Sequence, residues 1–167
     1  MNSIKPASLE KIAESESLIR FPDCDPFNHL NNSRYLDYFI NAREDHLLNI
    51  YRFNMYEYIK EQKRGWVVGM NQIAYLKPAM LMETVIIQST IRELKEKDLL
   101  VEMCMLNREK TKVKALLWSK FFHIDLATQK SLPHSAELID YFRPLENPLV
   151  NIGSFEERVM QLRGPIS

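Results

Sequence analysis

Between Arg20 and Tyr38 the chain reads R-F-P-D-C-D-P-F-N-H-L-N-N-S-R-Y-L-D-Y, which gathers Asp23, Asp25, Asn28, His29, Asn31 and Asn32 into one short stretch. Pro22 and Pro26 hold the residues before them out of α conformation, so the two aspartates sit in a loop. A helix-compatible run follows, and Asn31 or Asn32 is suited to cap its start. No Glu or Gln follows either one three residues on, so no capping box forms. A helix N-terminus offers unpaired N–H groups and a partial positive charge, which can hold a developing oxyanion. A carboxylate and an imidazole lie just upstream of that point. Together they make a nucleophile or general base beside an oxyanion site, the requirement of acyl transfer. The same residues also read as turn-capping aspartates with an ordinary loop histidine, and spacing alone balances the two readings.

The stretch D-C-D-P followed by H-L-N-N-x-R-Y resembles the signature of hotdog-fold acyl-CoA thioesterases, in their 4-hydroxybenzoyl-CoA thioesterase-like and acyl-ACP thioesterase-like groups. Those families carry D-x-D before the central helix, and many carry G-H-x-N-N with an aromatic residue after it. The likeness continues in I-A-Y-L-K-P-A, Ile73 to Ala79, which resembles the family's second strand and exit turn, and it covers residues 15–142. The chain departs from the pattern twice. Asn28 stands where many members have Gly, and Leu81-Met82-Glu83 stands where Leu-Gly-Asp is common.

The resemblance implies an α+β hotdog fold, a curled antiparallel five-stranded sheet wrapped around a central helix. It makes Asp25 the catalytic carboxylate, which either attacks the thioester carbonyl or activates a water. His29 matches the family's histidine and would orient Asp25 or the water, or contact the substrate. Asn32 and Asn31 would hold the loop and supply the oxyanion donor, with Asn31, Tyr35 and Phe39 on the substrate side. Asp23 reads as a structural turn residue. The substrate expected is an acyl-CoA with an aliphatic chain; the alternatives are acyl-ACP hydrolysis and a non-catalytic acyl-binding module. No cofactor is expected beyond the coenzyme A of the substrate. A homodimer or dimer of dimers is implied, with the active site at the subunit interface.

The rest of the chain must position that loop. Its 167 residues suit one domain with a real core. We divide it into a lead-in (1–14), a hotdog domain (15–142) and a C-terminal extension (143–167). Equal numbers of basic and acidic residues (22 each) leave no net field to attract nucleic acid. Cys24 and Cys104 form no metal or disulfide pattern, and four scattered histidines lack ligand spacing, so no metal is expected. Without a signal peptide or membrane-length apolar run, a cytoplasmic location is expected.

Ser8 to Glu14 suits a helical turn or two, and Glu16 to Phe21 the first strand. The central helix is expected from about Asn32 to Leu48, with Leu36, Phe39, Ile40, Arg43 and Leu47 near one face. His46 reads as a partly buried surface histidine rather than a ligand. A second short helix is expected between Asn49 and Arg64, ended by Gly65, and Phe39, Tyr51, Phe53, Met55 and Tyr56 offer an apolar lining near the motif. Four strands follow. In the first, Trp66 to Leu76, the alternation sets Val68, Met70, Ala74 and Leu76 against Val67, Ile73 and Tyr75. Val85, Ile87 and Ile91, then Leu99, Val101, Met103 and Met105, then Val113, Ala115, Leu117 and Phe121 mark the buried faces of the others. Short connections favour sequential antiparallel neighbours. A closing helix is expected at His134 to Phe142, and the tail is either helical at Ser154 to Leu162 or loose.

Overall fold

In the computed structural model, which describes residues 5–164, the period-2 segments form one antiparallel sheet. Its strands are β1 (Ala13–Leu18), β2 (Arg64–Tyr75), β3 (Thr84–Leu94), β4 (Asp98–Asn107) and β5 (Val113–Asp125). The helices are α1 (Tyr35–Asp45), α2 (Met55–Gln62), α3 (Ala136–Phe142) and α4 (Phe155–Arg163). The expected lead-in and tail begin and end in residues 1–4 and 165–167, which lie outside the described residues.

The sheet order is β1-β3-β4-β5-β2, so strand neighbours are only partly sequential. β3, β4 and β5 follow one another as expected. β2 and β3, however, are not neighbours: β2 pairs with β5 and β3 with β1. The segment between them is drawn across the sheet end instead of turning back. Leu76 and Lys77 donate their N–H groups to the Lys114 carbonyl, and the buried Lys114 ammonium donates to the Pro78 carbonyl and pairs with Glu83 at 2.8 Å.

The sheet curls around α1, as the resemblance implied. Phe39 of α1 packs with Val85, Ile87, Val101, Met103, Ala115 and Leu117, all of them sealed from solvent. A π-helical turn, His46–Ile50, extends α1 and places His46 and Leu47 in the core. His46 is only 1 % exposed, so the surface reading of this histidine is corrected. Its two ring nitrogens meet Ser89 Oγ at 2.7 Å and Ser15 Oγ at 2.9 Å, which makes the burial affordable.

Three local expectations change. Residues 8–12 are not helical, and Ala13 and Glu14 already belong to β1, where Ala13 is buried against the core. Phe21 begins a short 3₁₀ turn (Phe21–Asp23) rather than closing the strand, with Pro22 inside that turn. Lys63, in the left-handed region at φ 54°, ends α2, while Gly65 lies within β2.

A bulge between Val68 and Met70 changes the faces of β2. An extra residue in one strand shifts the side-chain alternation by one. Trp66 before the bulge and Ile73 after it therefore both pack on the concave core, whereas Ala74 and Leu76 lie on the convex side. The single alternation expected for this strand is corrected accordingly. Gly69 sits at the bulge because a Cβ there would stand 2.3 Å from the Phe122 ring.

The tail takes the helical alternative. Ser154 caps α4 by accepting the Glu157 N–H. Phe155 and Val159 then cover Cys104 and Leu116 on the convex face.

Candidate active site

The motif loop is pinned at several backbone points. Leu30 N–H donates to the Ala79 carbonyl at 2.8 Å, and Leu81 N–H to the Asn28 carbonyl at 2.9 Å, which joins the loop to the β2–β3 connection. Asp25 organises the turn from within. Its Oδ1 accepts the N–H groups of Phe27 (2.9 Å) and His29 (3.0 Å), and its own N–H donates to the His29 carbonyl at 2.8 Å. Its Oδ2 has no protein partner among the described residues. The chain can fold back this tightly because Asn28 adopts φ 60°. Asparagine tolerates that left-handed conformation better than most residues, so it can stand where the family often uses glycine.

Asp23 is held differently. Its Oδ2 accepts the Tyr38 hydroxyl at 2.8 Å, and Tyr38 oxygen in turn accepts the Arg20 N–H at 3.0 Å. Arg34 stands 3.8 Å away. These contacts tie the loop to α1.

The helix begins later than Asn31 or Asn32. Arg34 occupies the N-cap position without a side-chain cap, and α1 starts at Tyr35. Asn31 caps the preceding turn instead, its Oδ1 accepting from the N–H and hydroxyl of Ser33. That turn forms because Arg34 N–H bonds the Asn31 carbonyl at 2.8 Å. Among the described residues the Asn32 N–H donates to no protein acceptor.

Asp25, His29, Asn32, Tyr35 and Tyr75 line one open cavity of about 280 Å³, floored by the Lys77–Pro78 stretch. Neither Asn31 nor Phe39 is in its lining, and Phe39 is wholly buried in the core. Tyr35 is buried and its oxygen accepts the Ala79 N–H at 3.0 Å, so burial, offset in part by that bond, moves its hydroxyl above the usual tyrosine value. Tyr75 was not singled out from sequence as a site residue. Its signal was present in the Ile73–Ala79 stretch, but the bulge that turns it toward Asn32 was not.

Further along α1 a second cavity of about 370 Å³ opens between α1, α2 and β2. Leu36, Ile40, Phe53 and Met55 make its walls apolar. Of the aromatic lining expected from sequence, Phe53 and Tyr56 line this cavity, whereas Tyr51 is buried with its hydroxyl bonded to the Glu10 carbonyl. Among the described residues no group of three or more His, Cys, Asp or Glu converges as metal ligands.

Residues 19–142 match a family model described as the thioesterase-like superfamily. The long-chain acyl-CoA thioesterase FadM of Escherichia coli strain K12 is 29% identical over 125 residues, spanning 75% of this chain and 92% of FadM. Among solved structures, YbaW from Escherichia coli, described as a probable thioesterase, superposes with a TM-score of 0.70 at 27% identity. That match covers 80% of this chain and 98% of YbaW. A 1,4-dihydroxy-2-naphthoyl-CoA thioesterase from Synechocystis shares the fold, with a TM-score of 0.69 at 15% identity over 76% of this chain and 92% of that one.

Proposed function

Because the chain belongs to the thioesterase-like superfamily, we propose that it hydrolyses the thioester of an aliphatic acyl-CoA at the Asp25 loop. The observation that carries this reading is the placement of Asp25, His29 and Asn32 around one cavity beside an apolar cavity along α1. The likeness to a long-chain acyl-CoA thioesterase supports an aliphatic chain over an aryl group.

The thioester carbonyl is set against the Asn32 N–H, whose lack of a protein acceptor leaves it available to an oxyanion. The unpartnered Oδ2 of Asp25 then takes one of two routes. It attacks the carbonyl carbon, expelling the coenzyme A thiolate and leaving an anhydride that water opens, or it takes a proton from a water that attacks directly. Both routes end in the free acid and coenzyme A thiol. His29 orients the carboxylate or the water, and neither route needs a further cofactor.

The working unit is a homodimer. β2 is an edge strand, and its Val67, Val68 and Met70 side chains are each over 40% exposed. An apolar edge with unpaired backbone groups calls for a covering strand, and a second copy supplies one. The cytoplasm is the assigned compartment, on the two free cysteines, Cys24 and Cys104. No helix among the described residues is long and apolar enough to cross a membrane.

A free-thiol assay across acyl-CoAs from acetyl to palmitoyl, with one aryl-CoA, tests the reading. Turnover rising with aliphatic chain length is expected. No turnover of any CoA ester would favour acyl-ACP or a non-catalytic acyl-binding role.

A further inference from the structure

We propose that the apolar cavity along α1 takes an acyl chain whose far end carries a carboxylate, and that Arg43 binds that carboxylate. The proposal rests on the thioesterase reading above and names the chain end that the site selects.

Arg43 is 7% exposed and lies on the inward side of α1. Its Nη1 donates to Ser89 Oγ at 3.2 Å, the only hydrogen bond of this guanidinium among the described residues. Ser89 Oγ also meets His46 Nδ1 at 2.7 Å, and His46 Nε2 meets Ser15 Oγ at 2.9 Å, so both serine hydroxyls are engaged with the ring. Burial, and then the Arg43 charge, push the His46 ring down to about 4, so this neighbour is neutral. Burial also lowers Arg43, but only to about 10, so the guanidinium keeps its charge at neutral pH. No carboxylate pairs with it among the described residues.

A guanidinium carries five N–H donors. Burying such a charge without a partner is strongly unfavourable. Arg43's unused donors are not sealed in the core: among the described residues the one sealed side-chain nitrogen without a partner is Arg92 Nε. Arg43 lines two cavities while its remaining donors have no protein partner among the described residues. One is the 370 Å³ cavity along α1, and the other is a smaller chamber of about 40 Å³ that shares Leu47, Phe53, Met55 and Phe121 with it. Arg43 lines both and, among the described residues, is the one cation in either lining; Glu44, Asn54 and Asn71 are the other polar residues of the larger cavity. Glu44 reaches only the outer part, where it is exposed and holds the Tyr56 hydroxyl at 3.0 Å.

The spacing fits a ligand that joins the two sites. Tyr35 lines the reaction cavity, and Arg43 lies eight residues further along α1, about 12 Å at the rise of a helix, or roughly ten carbons of extended chain. Leu36 and Ile40, on the turns of α1 between them, line the larger cavity and would border the chain. A carboxylate at the far end matches the planar fork of the guanidinium. A plain chain covers the same cation and gives it nothing.

The test compares kcat/KM for decanedioyl-mono-CoA and decanoyl-CoA, with the eight- and twelve-carbon pairs beside them, in wild type, Arg43→Gln and Arg43→Lys. The ω-carboxyl ester is expected to be better by about tenfold or more in wild type at one of these lengths, the factor one charge-assisted hydrogen bond carries. Arg43→Gln should bring the pair to within about twofold, and Arg43→Lys should retain part of the preference. Equal or better turnover of the plain ester at all three lengths overturns the proposal, as does a preference that survives in Arg43→Gln. Failure of the thioesterase reading is separate, because then neither ester is turned over. Titration calorimetry of both esters then decides: tighter binding of the ω-carboxyl ester supports the Arg43 site, and equal binding overturns it. If Arg43→Gln does not fold, Arg43→Lys decides: a reduced preference for the ω-carboxyl ester supports the Arg43 site, and an undiminished one overturns it.

Discussion

Tyr75 donates its hydroxyl to the backbone carbonyl of Asn32 at 2.9 Å, and its ring meets the Tyr35 ring edge-on with centroids 5.1 Å apart. The edge strand β2 thereby fixes the turn that presents the Asn32 N–H. Tyr75→Phe is expected to lower kcat roughly fivefold, the effect of losing one hydrogen bond of about 1 kcal/mol that positions the proposed oxyanion donor. Steady-state kinetics check this, and an unchanged kcat would remove Tyr75 from that role.

Met82 adopts φ 63° with its side chain 63% exposed. A β-carbon costs about 1–2 kcal/mol in this conformation, and glycine returns part of that through a more flexible unfolded chain. Met82→Gly should therefore stabilise the fold by about 0.5 kcal/mol. Asn28→Gly should gain less, since asparagine already tolerates its φ of 60°. Urea midpoints measure both, and a destabilised Met82→Gly would mean that the exposed side chain has an unseen partner.

These two left-handed positions show what the sequence could carry. Each stands where the resembling family often places glycine, so the departures were visible as letters while their backbone meaning was not. The alternation of Val85, Ile87 and Ile91 and of Leu99 to Met105 was legible because one face of each strand is buried, which fixes a period of two. β2 was misread because its bulge at Gly69, where the Phe122 ring across the sheet leaves no room for a Cβ, is a feature of cross-strand register that no local pattern contains. The D-C-D-P loop was readable as a cluster. The start of α1 was placed early because the Asn31–Arg34 turn carries the same cap signals as a helix. Arg43 read as one member of an apolar stripe, since burial without a partner is set by Ser89 and the cavity rather than by its neighbours in sequence.

His46 makes the fold sensitive to mild acid. Its folded value, about 4, lies below its ordinary one, so the unfolded chain takes up a proton that the folded core refuses. Its stabilising contribution is full above about pH 6.5 and is lost as the pH falls toward about 4, at up to about 1.4 kcal/mol per pH unit. His123 and His134, both lowered chiefly by burial, add to the loss from the same starting pH. The carboxyls of Glu14 and Asp125 are held low by hydrogen bonds, to Lys110 and Thr128 first, so they cost stability only below the usual carboxylate range. Urea midpoints should fall between pH 7 and pH 5, and His46→Gln should flatten that slope. An equal slope in the variant would place the sensitivity elsewhere.

Glu102 anchors the tail. It is 3% exposed and accepts Arg92 Nη2 at 2.7 Å, Arg158 Nη2 at 2.8 Å and the Trp118 indole N–H at 2.8 Å. Burial alone would raise its carboxyl, but the bonds from Arg158 and Arg92 outweigh it and hold the group below the usual range. Glu102→Gln leaves two guanidinium groups facing each other without the charge that pairs them. The expected loss is about 3–5 kcal/mol, with faster proteolytic cutting of α4 from the convex face. A loss under about 1 kcal/mol would show that the pair adds no more than a surface bridge does.

The central claim is that Asp25 performs the chemistry, and Asp25→Asn tests it most directly. The amide keeps an oxygen to accept the Phe27 and His29 N–H groups, so the turn survives, but Oδ2 and its charge are gone. With the best acyl-CoA from the free-thiol panel, kcat is expected to fall about a hundredfold or more, while KM changes little. The melting temperature should stay within the shift of about 1 kcal/mol. Asp23→Asn is the control, since an amide still accepts the Tyr38 hydroxyl, and it should keep most activity. An active Asp25→Asn beside an inactive Asp23→Asn would contradict the account.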